Sequence, residues 1–161
     1  MTAKDMIDQG LTRSEFFQEK YLNDLDDADL KLVAVEGMNP IAWQLGHLIA
    51  TDCNLLGMIR PGAAPALPAG FAEAHPRDPS ASTGAFLTKA EYLDLYKTVR
   101  AATRKVLETM DDAELDTPSP EAVRKMMPKI GDMLSLMGQH AMLHVGQFVA
   151  VRRSLKKPVA F

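Results

Sequence analysis

The chain has 161 residues, of which 47% are hydrophobic and 24% charged, and its formal net charge is −3. These values are typical of a single globular domain, which we predict over residues 1–161. The slight negative charge argues against nucleic-acid binding, which needs a dense Lys/Arg surface. No signal-peptide pattern and no membrane-spanning apolar stretch is evident, so we expect no membrane partner. The single Cys53 excludes an internal disulfide and favours a cytoplasmic location.

Four segments have the apolar periodicity of helices: residues 3–25, residues 39–60, a segment that begins at residue 88, and residues 130–155. The second opens with Asn39 as an N-cap followed by a proline at the first helical position. The third opens with the Thr-x-x-Glu pattern of a capping box at Thr88. A further short helix is predicted over Pro120–Met126, capped by Ser119. No alternating strand pattern occurs, so we predict an all-α antiparallel four-helix bundle.

The connection between the second and third helices, Pro61–Leu87, is long and contains five prolines. Connections in bundles are usually shorter, and long ordered ones tend to be crossovers or functional lids. We therefore interpret it as a crossover that also covers one end of the bundle, with a mobile surface loop as the alternative. His75 lies in this segment and is expected to be exposed to solvent.

Three of the four histidines lie on predicted inward faces. His140 and His144 are four residues apart on the last helix, so their imidazoles differ by only about 40° around the helix axis and are within reach of one ion. His47 lies in the most apolar stretch of the chain, where an unpartnered imidazole costs a few kcal/mol. One buried histidine alone is most simply a hydrogen-bonded core residue. Three on two long helices favour a shared divalent metal.

The residues around these histidines restrict the kind of metal site. Ala141 stands where an H-E-x-x-H metalloprotease has its catalytic glutamate. The chain contains no Glu-x-x-His, which argues against a carboxylate-bridged di-iron site, and a single cysteine excludes a thiolate-rich zinc site. Three imidazoles suit Zn, Ni, Co, Fe or Cu and leave at least one coordination position open.

Short ordered motifs occur in the second and last helices, namely Trp43-x-x-Gly46-His47-Leu48, His140-x-x-x-His144-x-Gly146-Gln147 and Arg152-Arg153. Together they resemble the motifs of the DinB/YfiT superfamily, whose members are regarded as metalloenzymes. The likeness extends over most of the chain through the order of its helices and the long second connection. It implies a four-helix bundle with a crossover, a metal site formed by the three histidines, and a homodimer.

Three more residues are candidates for contacts with the ligands or with substrate. Trp43 and Gln147 match the superfamily motif. We expect Trp43 to be a packing residue, whereas Gln147 either orients a ligand, binds substrate or packs between helices. Asp52 is expected to be a solvated helix residue, with an acid–base role behind the ligands as the alternative. Cys53 is expected to be buried.

Characterised relatives in this superfamily include thiol-dependent enzymes, such as mycothiol-dependent maleylpyruvate isomerase and bacillithiol transferases. The resemblance therefore implies a metal-dependent thiol S-transferase that acts on a small molecule together with a low-molecular-weight thiol. Such an enzyme needs a thiol-sized pocket beside the open metal position, roofed by Pro61–Leu87. The alternatives are a non-catalytic metal-binding or stress-related module, and a hydrolase that uses metal-bound hydroxide. No side chain is assigned as catalytic.

Overall fold

The computed structural model describes residues 1–159, and within them the chain forms helices and no β-strand. In chain order the α-helices are α1 (Ala3–Leu22), α2 (Ile41–Ile59), α3 (Phe71–Ala74), α4 (Lys89–Thr109), α5 (Asp112–Leu115), α6 (Glu121–Arg124) and α7 (Ile130–Ser154). The predicted all-α class is therefore confirmed. Within the same residues no helix combines the length and the apolarity needed to cross a bilayer.

The ends of the helices agree with the sequence prediction to within a few residues. Thr88 caps α4 through the predicted capping box with Glu91. Helix α2 begins at Ile41, and the predicted Asn39 cap is wrong because Pro40, which has an extended backbone, is the N-cap. The predicted Ser119 cap is also wrong, since the Ser119 hydroxyl donates to the Met127 carbonyl while Pro120 precedes α6.

Helix α1 ends at Leu22, three residues before the predicted end. The ammonium group of Lys89, at the start of α4, donates hydrogen bonds to the carbonyls of Leu22, Asn23 and Leu25. A helix leaves its last carbonyls without internal partners, and a cation at this end supplies donors for them. The lysine thus stabilises the chain turn after Leu22 and joins the end of α1 to the start of α4.

The four long helices pack around an apolar core. Helix α7 lies along α1 and also contacts α2, while α2 contacts α4. The backbones of α1 and α7 lie close together at Gly138, where an added Cβ would be 2.9 Å from the backbone of Gly10. Leu48 and Phe148 are fully buried in the larger of two core clusters, and burial of each such side chain contributes about 1.5–3 kcal/mol. This packing brings the middle of α2 against the middle of α7.

The connection between α2 and α4 packs against α2 in its central part. Phe71 and Ala74 of α3 are buried, and His75 is only 4% exposed, so its predicted solvent exposure is wrong. The ring of His75 lies against Gly46, where an added Cβ would come within 2.0 Å of it. The polar sequence around residue 75 is typical of a surface loop. His75 is nevertheless buried because Gly46, which is distant in sequence, has no side chain and leaves room for the imidazole against α2.

Candidate metal centre

The structure brings His47, His140 and His144 together at the contact between α2 and α7. Each offers one ring nitrogen, and these three nitrogens all lie within 4.8 Å of one another. The ring centroids are separated by 5.2 Å for His47 and His140, 5.4 Å for His47 and His144, and 4.8 Å for His140 and His144. The four-residue spacing on α7 places two rings on one face, and the packing of α2 against that face supplies the third.

Gln44 fixes the orientation of His144. The Gln44 side-chain amide donates through Nε2 to the Asn39 carbonyl, 2.7 Å away, so its Oε1 is the atom that faces His144. That oxygen is 2.8 Å from Nδ1 of His144 and can only accept, so Nδ1 carries the proton. The lone pair of His144 is therefore on Nε2, which points into the histidine cluster. No role was predicted for Gln44 from the sequence, and its position one turn before His47 on the same helix is the one local signal for it.

The donor atoms fit a transition-metal ion. Nε2 of His144 and Nε2 of His140 are 3.1 Å apart. Two imidazoles on a tetrahedral ion with bonds of about 2.0–2.1 Å would have their nitrogens about 3.3 Å apart. The pair therefore already has about the spacing of two ligands, and His47 offers a third nitrogen within 4.8 Å of both. Three neutral nitrogens are a donor set that late first-row ions accept.

Burial keeps the three imidazoles uncharged at neutral pH. Desolvation lowers the pKa of His47, and it lowers the pKa of His140 and of His144 to about 4. Repulsion between the neighbouring imidazoles adds to this effect, and the positive charge of Arg100 also lowers the pKa of His140. Neutral rings retain the lone pairs that a cation needs, so near pH 7 no proton has to be displaced from an imidazolium.

Trp43 stacks on His47, with ring centroids 4.8 Å apart and planes inclined by 9°. The indole is 4% exposed and lies one helical turn before the histidine on α2. This contact restricts the ring plane of His47 and shields one of its faces. Gln147, by contrast, is exposed, and its side chain makes no hydrogen bond within the described part of the chain. It remains a candidate only for contacts with a bound molecule.

Asp52 differs from its expected solvated state. It is fully buried, and its Oδ2 lies 3.4 Å from Nη2 of Arg100, which is buried as well. Burial raises the pKa of Asp52 to about 7, against the lowering effect of the Arg100 charge. The prediction failed because its partner belongs to α4 and cannot be inferred from α2. Cys53 is buried, as expected, and desolvation raises the pKa of its thiol to about 11.

Two grooves lie away from the histidines. One of about 420 Å³ separates α1 from α4 and is lined by Gln18 and Tyr96 among others. Another of about 480 Å³ lies between α4 and residues 60–63. Neither groove is lined by any of the three histidines, so neither is the thiol pocket predicted beside the metal position.

Comparison with known proteins identifies one family. The family model of the DinB superfamily matches residues 13–148, a range that includes the three histidines, Trp43 and Gln147. No curated protein and no solved structure is significantly similar to the chain. The family match covers most of the sequence, in agreement with the motifs of α2 and α7 and with the all-helical structure. The chain therefore belongs to the DinB superfamily.

Proposed function

We propose that His47, His140 and His144 bind one divalent late first-row transition metal, such as Zn or Ni, and that the protein is a metal-dependent thiol S-transferase. The observation that carries the metal site is the meeting of three uncharged imidazoles from two helices, with the lone pair on Nε2 of His144 directed into the cluster by Gln44. The substrate class rests on family membership and on the neutral ligand set.

The ligand set itself favours an anionic partner. A bound divalent cation would lower the pKa of a thiol that coordinates to it, so that a thiolate forms near neutral pH. The three imidazoles carry no charge and leave the double positive charge of such an ion uncompensated. Gln44 and Trp43 hold two of the rings in place, and the partial burial of the cluster limits competition from water. No protein base is needed in this scheme, which is consistent with Ala141 between the two histidines of α7.

We further infer the arrangement of the chain around this site. Contacts of α7 with α1 and α2, and of α2 with α4, support an antiparallel four-helix bundle in which residues 61–87 cross over. The His75 contact with Gly46 fastens that crossover beside His47. A homodimer, a cytoplasmic location and a low-molecular-weight thiol as partner stay predictions that follow from the family resemblance and the composition.

A second candidate is a non-catalytic metal-binding module. This second candidate is favoured by the hydrogen bonding of the cluster. Among residues 1–159 the three imidazoles have only one hydrogen-bond partner outside the cluster, the Gln44 amide. A general acid or base in contact with the site would have argued for hydrolysis, and the described residues provide none. Both candidate proteins bind a metal ion at the same site, and only the transferase converts a substrate.

A turnover assay separates them. The metal-loaded protein would be mixed with several low-molecular-weight thiols and a chromogenic electrophile, beside His47→Ala and the control His75→Gln, which alters a buried imidazole outside the cluster. We expect a rate that depends on both metal and thiol in the parent and the control but not in His47→Ala. Absence of any such rate in a fully loaded parent would leave the binding module, and metal-dependent ester cleavage without thiol would indicate a hydrolase.

A further inference from the structure

Arg100 is a fully buried guanidinium at the place where α2, α4 and α7 meet. It belongs to α4, and its Nη2 donates to the Met137 carbonyl of α7 at 2.9 Å and to the hydroxyl of Tyr96. The same nitrogen lies 3.4 Å from Oδ2 of Asp52 in α2. One side chain thus connects the two helices that carry the histidines through a third helix that carries none of them.

The contacts of Arg100 are close to the metal ligands along both helices. Asp52 follows His47 by five residues, a rise of about 7.5 Å along α2, and Met137 precedes His140 by three residues, a rise of about 4.5 Å along α7. The guanidinium is also near enough to lower the pKa of His140 through its charge. The contacts of Arg100 with Asp52 and Met137, called the bridge below, therefore lie beside the histidine cluster, within about one to one and a half helical turns of its proposed ligands.

Stability does not explain this bridge. Nε and Nη1 of Arg100 and both oxygens of Asp52 are buried without a conventional hydrogen bond among the described residues. Attraction within a buried ion pair offsets the desolvation cost only when the geometry is good and the remaining polar atoms are hydrogen-bonded, and well-packed apolar side chains of similar volume are often as stable or more stable. A buried polar contact of this kind can instead fix how the helices lie relative to one another.

We propose that Arg100, together with Asp52, is a positioning residue for the metal centre. By holding α2 and α7 to a common point on α4, it sets the separation between His47 and the pair His140 and His144. It does not touch the ion. The inference rests on the proposed metal site and adds to it a determinant of metal affinity and coordination geometry that lies outside the ligand set.

The test separates geometry from stability by replacing the pair with apolar residues. The double variant Arg100→Met/Asp52→Leu removes both charges together, so that no uncompensated charge is buried, and it should unfold at or near the parent's denaturant midpoint. Affinity for Co²⁺ would be measured by competition with a chelator, and coordination geometry by the visible absorption bands of bound Co²⁺. We expect at least about a tenfold loss of affinity and altered bands.

Arg152→Met is the matched control, because Arg152 is also a buried arginine that joins helices, bonding from α7 to the Tyr21 carbonyl and to Asp24. It should lower stability while the Co²⁺ bands and affinity remain those of the parent.

A folded double variant with parental bands and affinity would overturn the positioning role while leaving the metal site intact. A parent that takes up no Co²⁺ would overturn the metal site and the positioning role together. If the double variant does not fold, the same two measurements are made on Asp52→Asn, which preserves the shape of the side chain, and they decide the question in the same way.

Discussion

Two histidine environments lie side by side in this protein, the buried His75 and the half-buried cluster of His47, His140 and His144, and they use their ring nitrogens differently. In the loop environment, Nδ1 of His75 donates to the Phe71 carbonyl, and Nε2 accepts from the Tyr92 hydroxyl, at 2.8 and 2.7 Å. Both nitrogens are therefore satisfied by the protein. In the cluster, Nδ1 of His144 is satisfied by Gln44, whereas its Nε2 meets only another histidine.

Burial alone therefore does not separate the two kinds of histidine; what separates them is whether a ring nitrogen has a partner outside the histidine cluster. Burial lowers the pKa of His75 just as it lowers that of His140 and His144. A fully bonded imidazole such as His75 holds a chain segment in place. The three imidazoles of the cluster face one another and have, among residues 1–159, only the Gln44 amide as a hydrogen-bond partner outside the cluster; this is the arrangement that we propose binds a metal ion.

The largest effect is expected for removal of the cluster imidazoles. His47→Ala, His140→Ala and His144→Ala should each reduce metal content from about one ion per chain to nearly none, because two imidazoles bind an ion far more weakly than three. His75→Gln should keep full metal content. Elemental analysis of the four purified variants checks this. Equal metal loss in His75→Gln would contradict the distinction between the two environments.

A smaller effect is expected for Gln44. Replacement by Ala removes the acceptor that fixes the His144 tautomer and should weaken metal binding by about 10- to 100-fold. Gln147→Ala, the control on an exposed position near the same cluster, should leave affinity unchanged. Competition titration with a chelator measures both. Parental affinity in Gln44→Ala would show that His144 is oriented without this hydrogen bond.

In the loop environment, Gly46→Ala tests the contact between α2 and His75. The new Cβ would lie 2.0 Å from the imidazole and force the ring and its loop away, at a cost of about 1–3 kcal/mol in the free energy of unfolding. Gly57→Ala in the same helix has nothing within 4 Å of its Cβ and should be stabilising by about 0.5–1 kcal/mol. Urea unfolding of the two variants gives the comparison, and a neutral Gly46→Ala would refute the contact.

The smallest effect per residue is expected from acid in the metal-free protein. The pKa of His140 and of His144 is lowered to about 4, whereas an unfolded histidine titrates near 6.5, so the unfolded state binds more protons between these values. Stability from these neutral rings is complete above about pH 6.5 and is lost as pH falls toward 4. At pH 5.5 the loss should be about 1 kcal/mol per histidine.

This dependence is measured by urea unfolding at pH 7.5 and 5.5. His144→Gln should show a smaller difference between the two pH values than the parent, since it removes one of the groups that gains a proton on unfolding. An unchanged difference would mean that His144 is not held neutral in the folded protein.

The sequence was informative where a structural property depends on neighbours along one helix. Two features were predicted correctly because both are local: the shared helix face of His140 and His144, and the capping box at Thr88. The same reasoning identified the three histidines as a group through the apolar character of their helices. The structure places them together, and metal binding by them stays a prediction.

Sequence reasoning failed where burial depends on a partner distant in the chain. Asp52 was taken as solvated because its partner Arg100 is in another helix, and an arginine on an amphipathic helix ordinarily reaches solvent. His75 was taken as exposed because its surroundings are polar and proline-rich, whereas its burial depends on Tyr92 and on the missing side chain of Gly46. Gln44 was overlooked since its role exists only once α7 is packed against α2.

Metal binding by the three histidines is tested most directly by a crystal structure of the metal-loaded protein, with diffraction data collected at the absorption edge of the metal. We predict one anomalous peak per chain, about 2.0–2.1 Å from a nitrogen of each of His47, His140 and His144, with the Gln44 bond to His144 retained. A loaded crystal whose anomalous peaks all lie elsewhere, with the three imidazoles bonded only to one another and to Gln44, would contradict the account.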